Sequence, residues 1–223
     1  MSTVPRWAIA AITVGIVALA ILVAVPDVDL AVSGWFHQAG EGFPLARLPL
    51  FLFVMKALPD LAIGAAVVAL GLGIAAHFRH RVWLGVTPRI AAFLTLSLII
   101  GPGLVVNTLL KDNWGRARPH QITEFGGSAH FSPAVMIADQ CNRNCSFPSG
   151  HGALAFWLIA IAMVVPMKWR APAMVLALIM AALVGAMRIA QGGHFLSDVI
   201  ASALIVGVVN IALKILILDR PTR

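Results

Sequence analysis

The sequence predicts an all-α integral membrane protein, a single domain over residues 1–223 folded as a bundle of six transmembrane helices with a short interfacial helix. Of its 223 residues, 60% are hydrophobic and 11% are charged, which lies outside the usual range of soluble globular domains. The apolar residues also form runs long enough to cross a bilayer, which takes about 20 residues of helix. Short polar motifs separate these runs. The composition therefore excludes a soluble domain.

Six apolar runs are the candidate spans. A cleaved signal peptide is the alternative for the first run, but that run exceeds the usual apolar length of a signal and no small-residue cleavage site follows it. In the third run, Gly101, Pro102 and Gly103 predict a kink that neighbouring helices tolerate. The six runs cover residues 7–25, 61–76, 90–110, 151–165, 172–187 and 199–218.

The segment 43–58, between the first two runs, is the predicted interfacial helix. Pro44 and Pro49 interrupt it, and Arg47 and Lys56 place charges along it. These features suit a helix lying in the membrane interface better than a span.

Basic residues concentrate in alternate connecting segments, which the positive-inside rule assigns to the cytoplasm. We therefore expect both termini to be cytoplasmic, the long loop 111–148 to lie outside, and any active site to face the periplasm or exterior of a bacterial inner membrane. The net charge of +7 comes without a basic run, so no nucleic-acid partner is expected. The proposed inner segments contain Arg6, Arg79, Arg81, Arg89, Lys168, Arg170, Lys214, Arg220 and Arg223, with Asp219 as their one acid.

Two cysteines, Cys141 and Cys145, lie in the predicted outer loop. They can pair if the loop faces an oxidising compartment. Two free thiols are the alternative, because a single close pair does not define a disulfide framework.

Three polar clusters lie at the predicted outer ends of spans. The first, residues 111–119, closes the third span, and the second, residues 148–151, opens the fourth. The third consists of Arg188, His194 and Asp198, between the fifth and sixth spans. Because successive spans run in opposite directions, all three clusters can meet in one layer of the bundle.

The clusters contain the parts of an anion site. Lys111, Arg118 and Arg188 would repel one another at a low-dielectric boundary unless an anion is bound there. The planar fork of an arginine suits two phosphate oxygens at once. Ser149 is placed to cap the fourth helix, and Gly150 permits close approach of the backbone, so the helix N-terminus would point at the same anion.

His194 and Asp198 are four residues apart at the start of a helix and share one face. A carboxylate that accepts a hydrogen bond from one imidazole nitrogen leaves the other nitrogen free to attack. With His151, the same residues could instead ligate a metal ion. The three nearby cations oppose a divalent ion, so we expect no metal and no other cofactor.

The three clusters together resemble the three-part signature of the type 2 phosphatidic acid phosphatase superfamily in order and spacing. The motifs occupy residues 111–198, and six spans resemble the membrane branch of that superfamily over nearly the whole chain. Met187 is a departure, since the family commonly has a serine before the third-motif arginine. The matching residues are Lys111-x6-Arg118-Pro119, Pro148-Ser149-Gly150-His151 and Arg188-x5-His194-x3-Asp198.

The resemblance implies a metal-independent phosphatase that works through a phosphohistidine. His194 would attack phosphorus, Asp198 would orient it, and His151 would protonate the leaving oxygen and later activate water. The groups that would hold the phosphoryl oxygens are Lys111, Arg118, Arg188, Ser149 and the Gly150 N–H.

A nucleophile at the interface, with an apolar bundle beneath it, predicts a lipid phosphate or diphosphate as substrate. Prenyl diphosphate, phosphatidylglycerol phosphate, phosphatidic acid and lipid A phosphate all fit, and residues 120–147 are the expected headgroup selector. A lipid-to-lipid phosphotransferase is the nearest alternative. A vanadium-dependent haloperoxidase would share the pocket, although those relatives are typically soluble, and an organic-phosphate transporter would need the cations but no nucleophile. No oligomeric state is predicted.

Overall fold

The computed structural model describes residues 6–219, and these residues form a helical bundle that contains isolated β-bridges but no strand. The α-helices are α1 (Arg6–Ala24), α2 (Asp27–Gly34), α3 (Pro49–Arg79), α4 (Pro88–Leu98), α5 (Gly150–Val164), α6 (Met167–Ala190) and α7 (Leu196–Leu213). Two of them continue as π-helices, Ile99–Leu110 after α4 and Lys214–Leu218 after α7. Three short 3-10 turns cover Pro44–Arg47, Pro119–Gln121 and Thr123–Phe125. The predicted all-helical architecture is confirmed.

Within residues 6–219, five helical segments are long and apolar enough to cross a membrane. The remaining candidate, α5, is apolar but has only 15 residues. Six spans therefore require α5 to cross as well, and that count stays a prediction. The five long segments are Arg6–Ala24, Pro49–Arg79, Pro88–Leu110, Met167–Ala190 and Leu196–Leu218.

Helix α5 lies at the centre of the bundle and packs against α3, α4, α6 and α7. Small buried residues, among them Gly152, Ala153 and Ala160, let the neighbouring helices approach closely. Trp157 is the largest fully buried side chain, and its indole N–H is shared between the Leu94 carbonyl and the Ser97 hydroxyl. This packing holds the first residues of α5 at one end of the bundle.

The predicted interfacial helix over 43–58 is not a separate element. Pro44–Arg47 is a single 3-10 turn, and Pro49 begins the 31-residue helix α3. A proline at the first position of a helix needs no N–H partner and has its φ preset, so Pro49 marks a helix start and not a break. Helix α3 is about 46 Å long at 1.5 Å per residue, longer than the hydrocarbon core of about 30 Å.

The Gly-Pro-Gly sequence of the third span lies in a π-helix, where the sequence had predicted a kink. Two side chains of this segment add hydrogen bonds to backbone carbonyls at and next to the proline. The Asn107 side-chain N–H donates to the Pro102 carbonyl at 2.8 Å, and the Thr108 hydroxyl donates to the Gly103 carbonyl at 3.1 Å. Asn107 is thereby held near the end of the segment.

The connection between this π-helix and α5 folds back on its own first residues. The Ser146 N–H donates to the Arg116 carbonyl at 2.8 Å, and the Gln140 N–H donates to the Gly115 carbonyl at 3.0 Å. Gly115 has a φ of +69°, and a Cβ there would lie 1.7 Å from a backbone oxygen, so only glycine fits. Cys141 and Cys145 form a disulfide, which decides between the two alternatives left by the sequence.

Candidate active site

A polar cavity of about 310 Å³ lies where the three motifs converge at one end of the bundle. It contains six of the eight predicted site residues, while Ser149 and Asp198 lie outside its lining. Helix ends place them: the π-helix ends before Lys111, α5 begins at Gly150, and α6 ends just after Arg188. The cavity is lined by Pro59, Asn107, Lys111, Arg118, Asn144, Gly150, His151, Leu154, Arg188 and His194.

Three cations face this cavity, and within residues 6–219 none of them forms a salt bridge with a carboxylate. Arg118 donates to the backbone carbonyl and side-chain oxygen of Asn144, at 2.8 and 3.1 Å. Arg188 donates to Gln191 Oε1 at 2.6 Å, and its buried Nε has no partner in the described chain. Buried charges without a counter-charge are costly, and an anion in this cavity would offset them. Lys111 is the third cation.

Burial lowers the pKa of Lys111 to about 8, and repulsion from Arg118 and Arg188 adds to the effect. Burial also lowers the pKa of Arg118, although a guanidinium remains charged at neutral pH. Lys111 is therefore the cation whose charge a modest rise in pH can remove.

His194 is fully buried, and its Nε2 has no hydrogen-bond partner among the described residues. Its Nδ1 lies 2.7 Å from the carbonyl oxygen of Ser146, which can only accept, so Nδ1 carries the proton and Nε2 keeps its lone pair. Burial holds the pKa of His194 well below its usual value, with Lys111 and Arg188 acting in the same direction and Asp198 opposing them. The residue is a neutral imidazole facing a cationic cavity.

Asp198 was expected to orient His194 by a direct hydrogen bond, and the structure differs. Its Oδ2 lies 3.6 Å from His194 Nδ1, while that oxygen accepts from the Ser146 hydroxyl at 2.5 Å and the Phe195 N–H at 2.8 Å. The direct acceptor is the Ser146 carbonyl. Asp198 therefore acts on the imidazole as a nearby negative charge and through Ser146.

His151 is anchored by helix α3. Its Nε2 lies 3.0 Å from the Met55 carbonyl and donates to it, which leaves Nδ1 for proton transfer. In a regular helix, the N–H of residue 59 would bond this same carbonyl, but Pro59 has none. The proline inside α3 thus leaves an acceptor exposed for the histidine.

The predicted capping role of Ser149 is confirmed, since its hydroxyl accepts from the Gly152 N–H at 3.2 Å. The side chain is fully buried, so its proposed contact with phosphate stays a prediction. Gly150 lines the cavity, and a Cβ there would lie 2.4 Å from Asn107 Oδ1. A side chain at this position would therefore collide with Asn107, while the expected approach of the Gly150 backbone to an anion stays a prediction.

Several residues of the site region had no role in the sequence interpretation, among them Asn107 and Asn144 in the cavity wall and Arg116 and Asp29 behind it. Arg116 is fully buried and bonds both Asp198 and Asp29. The first cluster contained Arg116, but the signature assigned a role only to Arg118, and Asp29 lies far away in the chain.

Residues 6–219 contain no group of three histidine, cysteine, aspartate or glutamate side chains placed to hold a metal ion. Metal independence stays a prediction that needs its own experiment.

The family model described as "PAP2 superfamily" matches residues 90–221, which include all three motifs. The chain therefore belongs to the PAP2 superfamily, as the motif resemblance predicted, and it is a multi-pass membrane protein of that superfamily. A solved structure, a transmembrane PAP2-type phosphatidylglycerolphosphate phosphatase from Bacillus subtilis, shares the fold. It is similar over 94% of both chains with a TM-score of 0.56 and 22% identity.

The curated relatives include lipid A 4'-phosphatases. The Francisella tularensis subsp. novicida (strain U112) protein is 42% identical over 115 residues, 51% of this chain and 52% of that protein. The Rhizobium leguminosarum protein is 49% identical over 105 residues, 47% of this chain and 45% of that protein. The chain thus matches about half the length of these relatives.

Proposed function

We propose that this protein is a membrane lipid phosphatase that hydrolyses a phosphate monoester of a phosphorylated lipid through a phosphohistidine at His194. One observation carries the proposal: His194 lines the same cavity as three cations. Within the described residues 6–219, its buried Nε2 has no hydrogen-bond partner and none of the three cations has a carboxylate partner. A tetrahedral dianion would offset two of the three positive charges and present its phosphorus to the imidazole.

In the first chemical step, the Nε2 lone pair of His194 attacks phosphorus and the bond from phosphorus to the lipid oxygen breaks. His151 in its protonated form delivers a proton from Nδ1 to that oxygen, so the lipid leaves as an alcohol. Lys111, Arg118 and Arg188 hold the three other oxygens as charge spreads over them. The Gly150 N–H at the start of α5 points at the same anion.

Forming the N–P bond gives the His194 ring a positive charge, because Nδ1 keeps its proton. Asp198 Oδ2, 3.6 Å from Nδ1, is the negative charge that offsets it. In the second step His151 takes a proton from water, the resulting hydroxide oxygen bonds phosphorus, and the N–P bond breaks. Inorganic phosphate leaves, and His194 returns to its neutral state.

An apolar groove supports a lipid as the substrate. The groove, of about 540 Å³, lies between α3 and the α4 segment and shares Pro59, Asn107 and Leu154 with the polar cavity. From Pro59 to Leu70 it follows α3 for about 16 Å at 1.5 Å per residue. Half a hydrocarbon core is about 15 Å. A phosphate in the cavity therefore leaves room for a chain lying in one leaflet.

Among phosphorylated lipids, we propose lipid A as the substrate class. The support is the identity of 42% and 49% to two lipid A 4'-phosphatases over about half of each chain. We further propose that the site faces the non-cytoplasmic side and that both termini are cytoplasmic, from the distribution of basic residues. The disulfide of Cys141 and Cys145 in the same loop supports this side, since disulfides persist in oxidising compartments.

The test is phosphate release by purified protein from a panel of lipid A, phosphatidic acid, phosphatidylglycerol phosphate and prenyl diphosphate. We expect lipid A to have the highest kcat/KM and the His194→Ala variant to release no phosphate above background. Activity retained by His194→Ala would refute the mechanism, and preference for another lipid would refute the substrate class. Labelled phosphate that appears on a second lipid, and not in solution, would indicate a phosphotransferase.

A further inference from the structure

Behind the cavity, the guanidinium of Arg116 is fully buried, and each of its three nitrogens donates at least one hydrogen bond. Its Nη1 donates to Asp198 Oδ1 at 2.6 Å and to the Ser197 hydroxyl at 2.8 Å. Its Nη2 donates to Asp29 Oδ2 at 2.9 Å, and its Nε donates to the Ser132 carbonyl at 2.8 Å. The guanidinium also lies 4.3 Å from the centroid of the Phe195 ring. Such a planar fork joins two carboxylates, which a single ammonium group cannot reproduce.

Asp29 holds the other side of this network from helix α2, outside all three motifs. Its carboxylate accepts from the Ser197 N–H at 2.9 Å, from the Ser197 hydroxyl and from Arg116. It is fully buried, and its partners belong to the first turn of α7 and to the first motif. Asp29 therefore fixes α7 and Arg116 relative to each other.

Three hydrogen bonds in series connect Arg116 to the nucleophile. Asp198 receives Arg116 on one oxygen and the Ser146 hydroxyl on the other, and the Ser146 carbonyl accepts from His194 Nδ1. The Arg116 carbonyl also accepts from the Ser146 N–H at 2.8 Å. The Arg116 backbone thus holds Ser146 directly, and the Arg116 side chain holds it through Asp198. Ser146 in turn orients the His194 ring.

We propose that Arg116 and Asp29 are positioning residues for the nucleophile, which act through Asp198 and Ser146 to aim His194 Nε2 at the bound phosphate. This inference rests on the proposed phosphatase function. Neither side chain lines the cavity, so neither contributes to holding the anion. Displacing a reacting group by about 1 Å can cost about a hundredfold in rate. Substitutions in this network should therefore lower kcat and leave phosphate binding unchanged.

The test compares Arg116→Lys, Asp29→Asn and Ser197→Ala with wild type, using the full-length protein in detergent. The measured quantities are kcat and KM for the lipid substrate, the inhibition constant of inorganic phosphate, and thermal stability. Ser33→Ala is the matched control, because Ser33 is also fully buried and lies on α2, but its hydroxyl has no partner in the described chain.

We expect kcat to fall about ten- to hundredfold in Arg116→Lys and Asp29→Asn, and less in Ser197→Ala. KM and the phosphate inhibition constant should stay within about twofold, and Ser33→Ala should match wild type. A purely structural role would instead lower stability and weaken phosphate binding together with kcat.

Unchanged kcat in folded Asp29→Asn and Ser197→Ala would overturn the inference, even if Arg116→Lys fails to fold. So would a loss of phosphate binding in step with kcat. A wild-type protein without phosphatase activity would instead refute the proposed function, so the two failures are distinguishable.

Discussion

Replacing Pro59 with alanine should make the protein more stable and less active. Pro59 lies inside α3, where proline is about 3 kcal/mol less favourable than alanine in a helix interior, so removing it should raise the free energy of unfolding by up to that amount. The alanine N–H would bond the Met55 carbonyl, which now accepts from His151 Nε2 at 3.0 Å. His151 would then share the Met55 carbonyl with the backbone N–H of residue 59.

The expected loss of activity follows from the value of that single bond. A hydrogen bond contributes about 1 kcal/mol net, which corresponds to about fivefold in rate. The Met55 carbonyl oxygen has two lone pairs, so the alanine N–H would weaken the His151 hydrogen bond without abolishing it. About fivefold is therefore the largest loss of kcat that we expect. We therefore expect kcat for lipid phosphate hydrolysis to fall about two- to fivefold while the thermal midpoint rises.

The matched control is Pro172→Ala. Pro172 also lies inside a long helix, α6, but it is not part of the cavity wall. This variant should gain stability in thermal denaturation and keep wild-type kcat. The reasoning would be refuted if Pro59→Ala retained full kcat, or if both variants lost activity equally.

Three other predictions concern the anion site and the metal. The pKa of Lys111 is lowered to about 8, and only its protonated form is cationic. We therefore expect kcat/KM to fall as the pH rises through about 8. A Lys111→Arg variant whose kcat/KM falls at the same pH would contradict this prediction. A Cβ on Gly193 would lie 2.4 Å from Arg188 Nη2 and would displace that guanidinium. We therefore expect Gly193→Ala to raise KM about tenfold with little change in stability. Gly207→Ala, where the added Cβ meets open space, should leave KM unchanged. Activity should survive exhaustive chelation, and loss that a divalent ion restores would argue for a metal.

The end of the bundle at which the site forms could be predicted from the sequence. The motifs close the third span, open the fourth and bridge the last two, and spans of alternating direction bring those ends together. Hydrophobic run lengths and basic loops establish this without knowledge of side-chain contacts. The cavity containing Lys111, His151 and His194 is therefore the part of the structure that spacing alone anticipates.

Prolines were harder to interpret, because one residue type starts helices and also breaks them. Pro49 begins α3, whereas Pro59 lies inside it and frees a carbonyl for His151. Sequence spacing does not distinguish these cases, since the difference depends on which neighbouring side chain takes the free acceptor. The prediction of a separate interfacial helix is wrong because it treats Pro49 as an interruption and ends the segment before Pro59, whereas α3 begins at Pro49 and continues through Pro59.

The hydrogen-bond network behind His194 could not be predicted from the sequence either. Arg116 and Arg118 flank Ala117, and only the structure shows that one is buried against carboxylates while the other faces the cavity. Asp29 meets its partner Ser197 across 168 positions of sequence. In an irregular segment no periodicity assigns a side chain to a face, so such pairings have to be observed.

The most direct measurement of the central claim is the site of the covalent phosphate. Purified protein mixed with a radiolabelled lipid phosphate would be quenched in alkali within the first turnover, digested and mapped by mass spectrometry. We expect label on the peptide that contains His194 in the wild-type protein and no label on that peptide in His194→Ala. Steady phosphate release with no label on His194, or undiminished turnover by His194→Ala, would contradict the account.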